Sequence, residues 1–226
     1  MQNLTIVFDL DGTLIDSAPD ILAAADHALR VHGLDPDPAM LDELKYCVGT
    51  GARVLLETAL ERMGESRSQA EVDALLNDLL ERYARHIADE TTVYPAADLV
   101  LARLKEIGFR IAVCTNKKQA MARAVMQKLG LMQHVHAVAG RDTLPVHKPD
   151  PGHLIGAVIL ADGNPNRSIM VGDTATDVQT AKRAGIPVIV VDFGYSATPV
   201  HELGADQVIA GYGELEQAVQ RVMHLL

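Results

Sequence analysis

The sequence predicts an α/β fold: a doubly wound parallel sheet of the Rossmann-like kind, carrying an inserted all-helical unit. Three observations carry that expectation. Short runs of apolar, β-branched residues recur along the chain, segments of helical period separate most of them, and one long early stretch has helical period alone. At 226 residues there is room for one sizeable core and a modest insert.

The first apolar run, residues 4–8 (LTIVF), ends in Asp9 and reads as a strand buried on both faces, as in a parallel sheet. Similar runs follow at 110–114 (RIAVC), 135–139 (VHAVA), 168–171 (SIMV) and 187–191 (PVIVV), with a short sixth candidate at 207–209. Apolar residues at helical spacing occupy 97–107, 118–129, 151–160, 177–184 and 213–226. Gly108, Gly130 and Gly185 stand where three of these helices should stop. Residues 16–90 break the alternation. Helical patterns at 21–31, 40–47, 53–63 and 72–87 succeed one another there without a convincing strand. That stretch, 16–90, is expected to be an inserted all-helical domain, joined at 16–20 and 91–95 to an α/β core made of 1–15 and 91–226.

Thirty acidic against 20 basic residues give a formal charge of −10, which argues against a sequence-independent grip on nucleic acid or a membrane surface. A small anionic ligand would need local neutralisation by a metal ion or a few placed cations. Cys47 and Cys114 lie in apolar surroundings and read as reduced structural thiols of a cytoplasmic protein. The N-terminus runs into the first strand without a basic segment, so no signal peptide is expected, and no apolar run nears the roughly 20 residues that span a bilayer. Nine histidines lack ligand spacing, which disfavours a His-based zinc site. Monomer and homodimer are equally compatible with the sequence.

Ligands of open α/β sheets bind at the carboxyl ends of the strands. The residues with chemical potential sit there: Asp9 and Asp11 after the first run, Thr115 and Asn116 after 110–114, and Asp173 after 168–171. Lys148 lies in the loop that follows 135–139. A carboxylate can attack phosphorus, and a second one two residues on can reach the bridging oxygen as acid and later activate water. Gly12 lets the chain turn sharply between them. Singly, each residue has a plainer reading: Asp-Gly is turn chemistry, Thr115 a helix cap, Lys148 a surface lysine, and Thr174 to Asp177 a capping box. Their joint occurrence at successive strand ends favours a site.

These residues also carry a resemblance. Asp9-Leu10-Asp11-Gly12-Thr13-Leu14 resembles the first motif of the haloacid dehalogenase superfamily, Thr115-Asn116 its second, Lys148-Pro149 its third, and Gly172-Asp173 with Asp177 its fourth. The resemblance implies an Mg²⁺-dependent phosphatase acting on a small phosphorylated metabolite. Asp9 would be the nucleophile that forms an aspartyl phosphate and Asp11 the general acid and base. Lys148 would face the phosphoryl oxygens with Asp177 behind it, and Thr115, Asn116 and Gly12 would surround the phosphate. The carboxylates of Asp9 and Asp173 and the backbone carbonyl of Asp11 would hold Mg²⁺, a hard ion suited to such ligands.

The helical insert resembles the small cap of that superfamily, which closes over the crevice. Val48-Gly49-Thr50-Gly51-Ala52 resembles the cap loop of its bacterial phosphoglycolate phosphatase subgroup, which implies that Gly49, Thr50 and Gly51 meet substrate and that the substrate is 2-phosphoglycolate. Asp16-Ser17-Ala18-Pro19, Thr115-Asn116-Lys117 and Asp192 with Gly194-Tyr195 resemble the same subgroup, although Thr50 stands where Asn is commoner. Arg53 is expected at the surface. Asp11 counts against a dehalogenase and against a phosphonoacetaldehyde hydrolase, for whose cap lysine Lys45 is the nearby candidate. A β-phosphoglucomutase-like phosphotransferase, or a phosphatase for another sugar or metabolite phosphate, keeps every core residue and stays open as an alternative. A non-enzymatic phospho-receiver is disfavoured by the chain length and by the leading position of the carboxylates.

Overall fold

The computed structural model describes residues 4–226; Met1, Gln2 and Asn3, on which the signal-peptide expectation partly rests, lie outside the described residues. Strand β1 (Thr5–Phe8) is buried along its whole length. The short β2 (Ile15–Asp16) and β3 (Thr92–Val93) form a separate antiparallel pair. Strand β1 pairs in parallel with β4 (Arg110–Cys114) on one side and β6 (Ser168–Gly172) on the other. With β5 (Ala137–Ala139), β7 (Val188–Val191) and β8 (Gln207–Ile209), the sheet runs β5-β4-β1-β6-β7-β8, every neighbouring pair parallel.

Alternate residues of the strands serve different cores. Ile6, Phe8, Ile111, Val113, Ile169 and Val171 enter one apolar cluster, while Val7, Ala112, Cys114, Met170 and Val188 enter another. Both sets are apolar, so these strands read in sequence as continuous runs instead of alternating ones. Helices α5 (Ala97–Glu106), α6 (Gln119–Lys128) and α9 (Leu215–Val222) cover the first face through Leu101, Leu104, Val125, Met126, Leu215 and Val219. Helices α7 (Pro151–Leu160) and α8 (Ala175–Ala184) cover the second through Leu154, Val158, Val178 and Ala181. Burying each Leu, Ile or Val side chain fully contributes about 1.5–3 kcal/mol. Gly108, Gly130 and Gly185 follow α5, α6 and α8 with φ of 90°, 74° and 67°, the left-handed geometry that stops a helix.

The early stretch folds into α1 (Ala18–Val31), α2 (Pro38–Glu43), α3 (Ala52–Met63) and α4 (Gln69–Arg85), which share an apolar cluster built on Leu29, Leu55, Leu56, Leu75 and Leu79. A capping box starts α4, the Ser68 amide donating to Glu71 at 2.8 Å. Three local expectations are corrected. The pattern at 40–47 divides, because α2 stops at Glu43 and Leu44–Thr50 tightens into a 3₁₀ turn that the Thr50 hydroxyl closes on the Cys47 carbonyl at 2.6 Å. The run at 135–139 pairs as a strand only from Ala137, because the ring of His136 accepts the Ile111 amide at 3.0 Å in place of a backbone carbonyl. The joints carry the β2–β3 pair, whose two-residue strands are too short to show a period.

Beside that pair the buried carboxylate of Asp20, in the first turn of α1, accepts the Glu90 amide at 3.0 Å and the Thr91 amide at 2.8 Å, and the Thr91 hydroxyl at 2.5 Å. The two connections between helical unit and sheet are thereby tied together. Among the described residues no helix is long and apolar enough to cross a membrane.

Candidate active site

Asp9 and Asp11 leave the end of β1, the central strand, where the sheet order reverses and loops diverge to leave a crevice. Gly12 turns at φ 82°, and a Cβ there would stand 2.2 Å from Asp173 Oδ2, so only glycine lets this loop lie against the end of β6. Thr13 donates its hydroxyl to Asp173 Oδ1 at 2.9 Å, and the Tyr195 amide donates to Asp173 Oδ2 at 2.8 Å. Lys148 Nζ lies 2.8 Å from Asp9 Oδ1 and 2.7 Å from Asp177 Oδ1, with all three side chains buried. Asp177 Oδ2 takes the amide and hydroxyl of Thr174 at 3.1 and 2.8 Å, so this carboxylate both caps α8 and fixes Lys148.

Oxygens of Asp9, Asp173 and Asp177 gather within 4.8 Å of one another. Their remaining capacities differ. Asp177 is satisfied by protein donors, whereas each Asp173 oxygen accepts one hydrogen bond, and Asp9 Oδ1 accepts no well-formed one despite its ion pair with Lys148. Burial is the largest influence on Asp9 and pushes its pKa up to about 7; Lys148 pulls down, and Asp177 and Asp11 push up. Burial likewise raises Asp173 well above the carboxylate range, helped by Asp177 and Asp9. Such crowding of buried carboxylates, with an under-coordinated oxygen on Asp9, fits a divalent cation held by Asp9 and Asp173.

The carboxylate of Asp11 has another environment. It accepts the Ser17 hydroxyl at 2.5 Å and lies 3.1 Å from Lys117 Nζ, which in turn stands 4.5 Å from the centre of the Tyr83 ring on α4. Thr115 is buried; its hydroxyl oxygen accepts the Lys117 amide at 3.1 Å, which leaves the hydroxyl hydrogen for a ligand. Asn116 donates to the Lys148 carbonyl at 3.3 Å, while its Oδ1 is buried without a partner. Asp9, Asp11, Thr115, Asn116 and Lys117 form one side of a cavity of about 240 Å³. Facing them are Gly49, Thr50 and Gly51 with the apolar wall of Val48, Leu55 and Leu79. A Cβ on Gly49 would stand 3.2 Å from Thr174 Cγ2, so the 3₁₀ turn rests directly over the strand ends.

The family model described as haloacid dehalogenase-like hydrolase matches residues 6–191, which span every strand-end group above. The chain belongs to the haloacid dehalogenase-like hydrolase family. A phosphoglycolate phosphatase of Mesorhizobium japonicum is 42% identical over 217 residues, covering 95% of this chain and 94% of the relative. A phosphoglycolate phosphatase of Caulobacter vibrioides is 38% identical and covers 96% and 91%. A crystal structure from Haemophilus somnus 129pt, described as a predicted phosphoglycolate phosphatase, superposes with a TM-score of 0.88 at 25% identity, covering 97% of this chain and 99% of that one. This member of the family is an enzyme, a phosphoric monoester hydrolase.

The fold brings the family residues expected from sequence to one place: Asp9, Asp11, Gly12, Thr115, Asn116, Lys148, Asp173 and Asp177 converge at the sheet rim, with Gly49, Thr50 and Gly51 above. Two single residues have partners that only the structure shows. Arg53 keeps the expected surface place, its side chain 38% exposed, paired with Asp73 and 3.7 Å from Glu57, and it also borders the cavity. The Thr50 hydroxyl is spent on the Cys47 carbonyl, which leaves it nothing to donate to a ligand. Cys47 is half-buried and Cys114 fully so, both as free thiols. Lys45 pairs loosely with Asp42 at 3.7 Å and does not line the cavity. Sequence reasoning missed Ser17 and Lys117 on Asp11, Thr13 and Tyr195 on Asp173, and Tyr83 beneath Lys117. Ser17, Thr13, Lys117 and Tyr195 all lie within or beside motif segments, but side-chain direction is invisible in a linear string.

Proposed function

We propose that this hydrolase converts 2-phosphoglycolate to glycolate and phosphate with Mg²⁺, through an aspartyl phosphate on Asp9. The observation that carries the reading is the gathering of Asp173 and Lys148 around Asp9, which itself lines a cavity roofed by the helical unit. The choice of substrate is supported by the names of relatives up to 42% identical. Residues 16–90 serve in this reading as a cap domain, 1–15 and 91–226 as the catalytic core, in a cytoplasmic enzyme.

Asp9 attacks phosphorus while the ester oxygen departs and takes a proton from Asp11. Water then attacks the aspartyl phosphate, gives its proton to Asp11, and frees phosphate and the Asp9 carboxylate. Lys148, held by Asp177, orients the nucleophile and opposes the charge of the phosphoryl oxygens. Thr115 donates its free hydroxyl hydrogen to the same group. Ser17 and Lys117 keep the Asp11 carboxyl on the side of the leaving oxygen. Asp9 and Asp173, with the Asp11 carbonyl, would hold Mg²⁺, which supplies neutralisation among clustered carboxylates and phosphoryl oxygens. Asp177 is left out of that set because protein donors already satisfy it. The test is kcat/KM across a panel of phosphorylated metabolites. 2-Phosphoglycolate should rank first, and a sugar phosphate turned over far better would replace it as substrate.

A further inference from the structure

The cations around the cavity divide into two kinds. Lys148 lies between Asp9 and Asp177, Lys117 lies against Asp11, and Arg53 pairs with Asp73. Arg141 and Lys118 also line the cavity, and among the described residues neither side chain has an acidic partner. Both are exposed to solvent at that mouth, which leaves their charged heads free to meet a ligand.

Both residues belong to the sheet half of the molecule, and their backbones are held firmly. The Arg141 amide donates to the Lys117 carbonyl at 3.0 Å, and the Gln119 amide donates to the Asp142 carboxylate at 2.7 Å. These two bonds bind the loop after β5 to the loop after β4. Gly140 lies at their crossing, where a Cβ would come within 2.3 Å of the Gln119 nitrogen. The helical unit stands opposite: Arg141 Nη1 lies 3.8 Å from where a Cβ on Gly51 would be.

The geometry points to Arg141 and Lys118 as specificity-determining residues that select a carboxylate on the part of the substrate remote from phosphorus. This inference rests on the proposed hydrolysis of 2-phosphoglycolate and deepens it. That substrate brings a second negative group into a cavity whose floor already carries Asp9 and Asp11; Lys117 lies against Asp11, and Arg53 is tied to Asp73 through Nη2 while its buried Nη1 has no hydrogen-bond partner. A guanidinium fork matches a carboxylate with two parallel hydrogen bonds, and a lysine beside it adds a point charge. The apolar wall of Val48, Leu55 and Leu79 keeps the local dielectric below that of open water, which strengthens the attraction. A tail without charge gains nothing from the pair.

The experiment measures kcat/KM for 2-phosphoglycolate and for ethyl phosphate, which is equally long but lacks the carboxylate. Wild type, Arg141→Gln, Lys118→Gln and the double variant are compared at low and at physiological salt, with thermal melts to verify folding. The ratio of the two kcat/KM values should fall about tenfold or more in the double variant, mainly through KM for 2-phosphoglycolate. The difference should shrink as salt is added. A ratio unchanged in the double variant overturns this inference alone. A wild-type protein that shows no preference for the carboxylated ester overturns the substrate reading, and the inference with it.

Discussion

At Asp9 burial and charge oppose each other, and burial dominates, raising the pKa to about 7. A carboxyl raised in this way adds stability at acidic pH that is lost as pH climbs from 3.8 through about 7. A cation held by Asp9 needs the ionised form, so it restores what that ionisation removes. The thermal stabilisation given by Mg²⁺ should therefore shrink as pH falls through about 7; a shift in Tm that is constant from about pH 8 to about pH 5.5 would remove Asp9 from the ligand set. Asp9→Asn should abolish turnover with the fold intact, and more than trace activity would end its role as nucleophile. His153 behaves oppositely. Fully buried, it donates from Nε2 to the Gly140 carbonyl at 3.1 Å and accepts the Lys148 amide on Nδ1 at 3.2 Å. Burial leads the causes that push its pKa from 6.5 down to about 4. Neutral His153 thus contributes stability present above pH 6.5 and lost as pH falls towards 4. The Tm advantage of wild type over His153→Gln should narrow across that window, and a constant gap would refute the assignment.

Between elements, the joints and the turn above the strand ends matter most. Asp20 collects the Glu90 and Thr91 amides and the Thr91 hydroxyl, so Asp20→Ala strands several buried donors. A loss of about 2–4 kcal/mol is expected from chemical denaturation, with a rise in KM as the helical unit loses its orientation. Gly12→Ala would force an L residue into φ 82° and drive its Cβ into Asp173 Oδ2. The backbone strain alone is about 1–3 kcal/mol, and Mg²⁺ affinity measured by calorimetry should fall with it. The long helices and buried strands were legible in sequence because a helical period or an apolar run survives over five or more residues. The β2–β3 pair was not legible, since strands of two residues have no period. The division at Glu43 was not legible either, because apolar spacing is similar for an α-helix and the 3₁₀ turn that continues it.

Across the whole molecule, a net charge of −10 and a cluster of buried carboxylates mean that the proposed phosphoryl transfer would need cations held at the sheet rim. Excess EDTA should stop turnover and lower Tm, and activity undiminished by chelation would rule out the metal assignment. Lys148→Met would leave Asp9 and Asp177 without their shared counter-charge. It should lower kcat by about 10²–10³ and cost about 3–5 kcal/mol in the metal-free protein.

The alternation of runs and helices and the helical insert determined the fold class from the sequence alone, and the ordered strand-end motifs carried the resemblance to a phosphatase family. Those signals are local, or depend on chain order, and a linear string preserves both. Only the tertiary structure decided that protein donors satisfy Asp177, that Lys117 and Ser17 hold Asp11, that Arg53 pairs with Asp73, and that Arg141 and Lys118 have no acidic partner beside the cavity. Partnership between charges is a matter of distance in space. Residues with the same letters and similar spacings become ligand, prop or free cation according to which loops the sheet brings together.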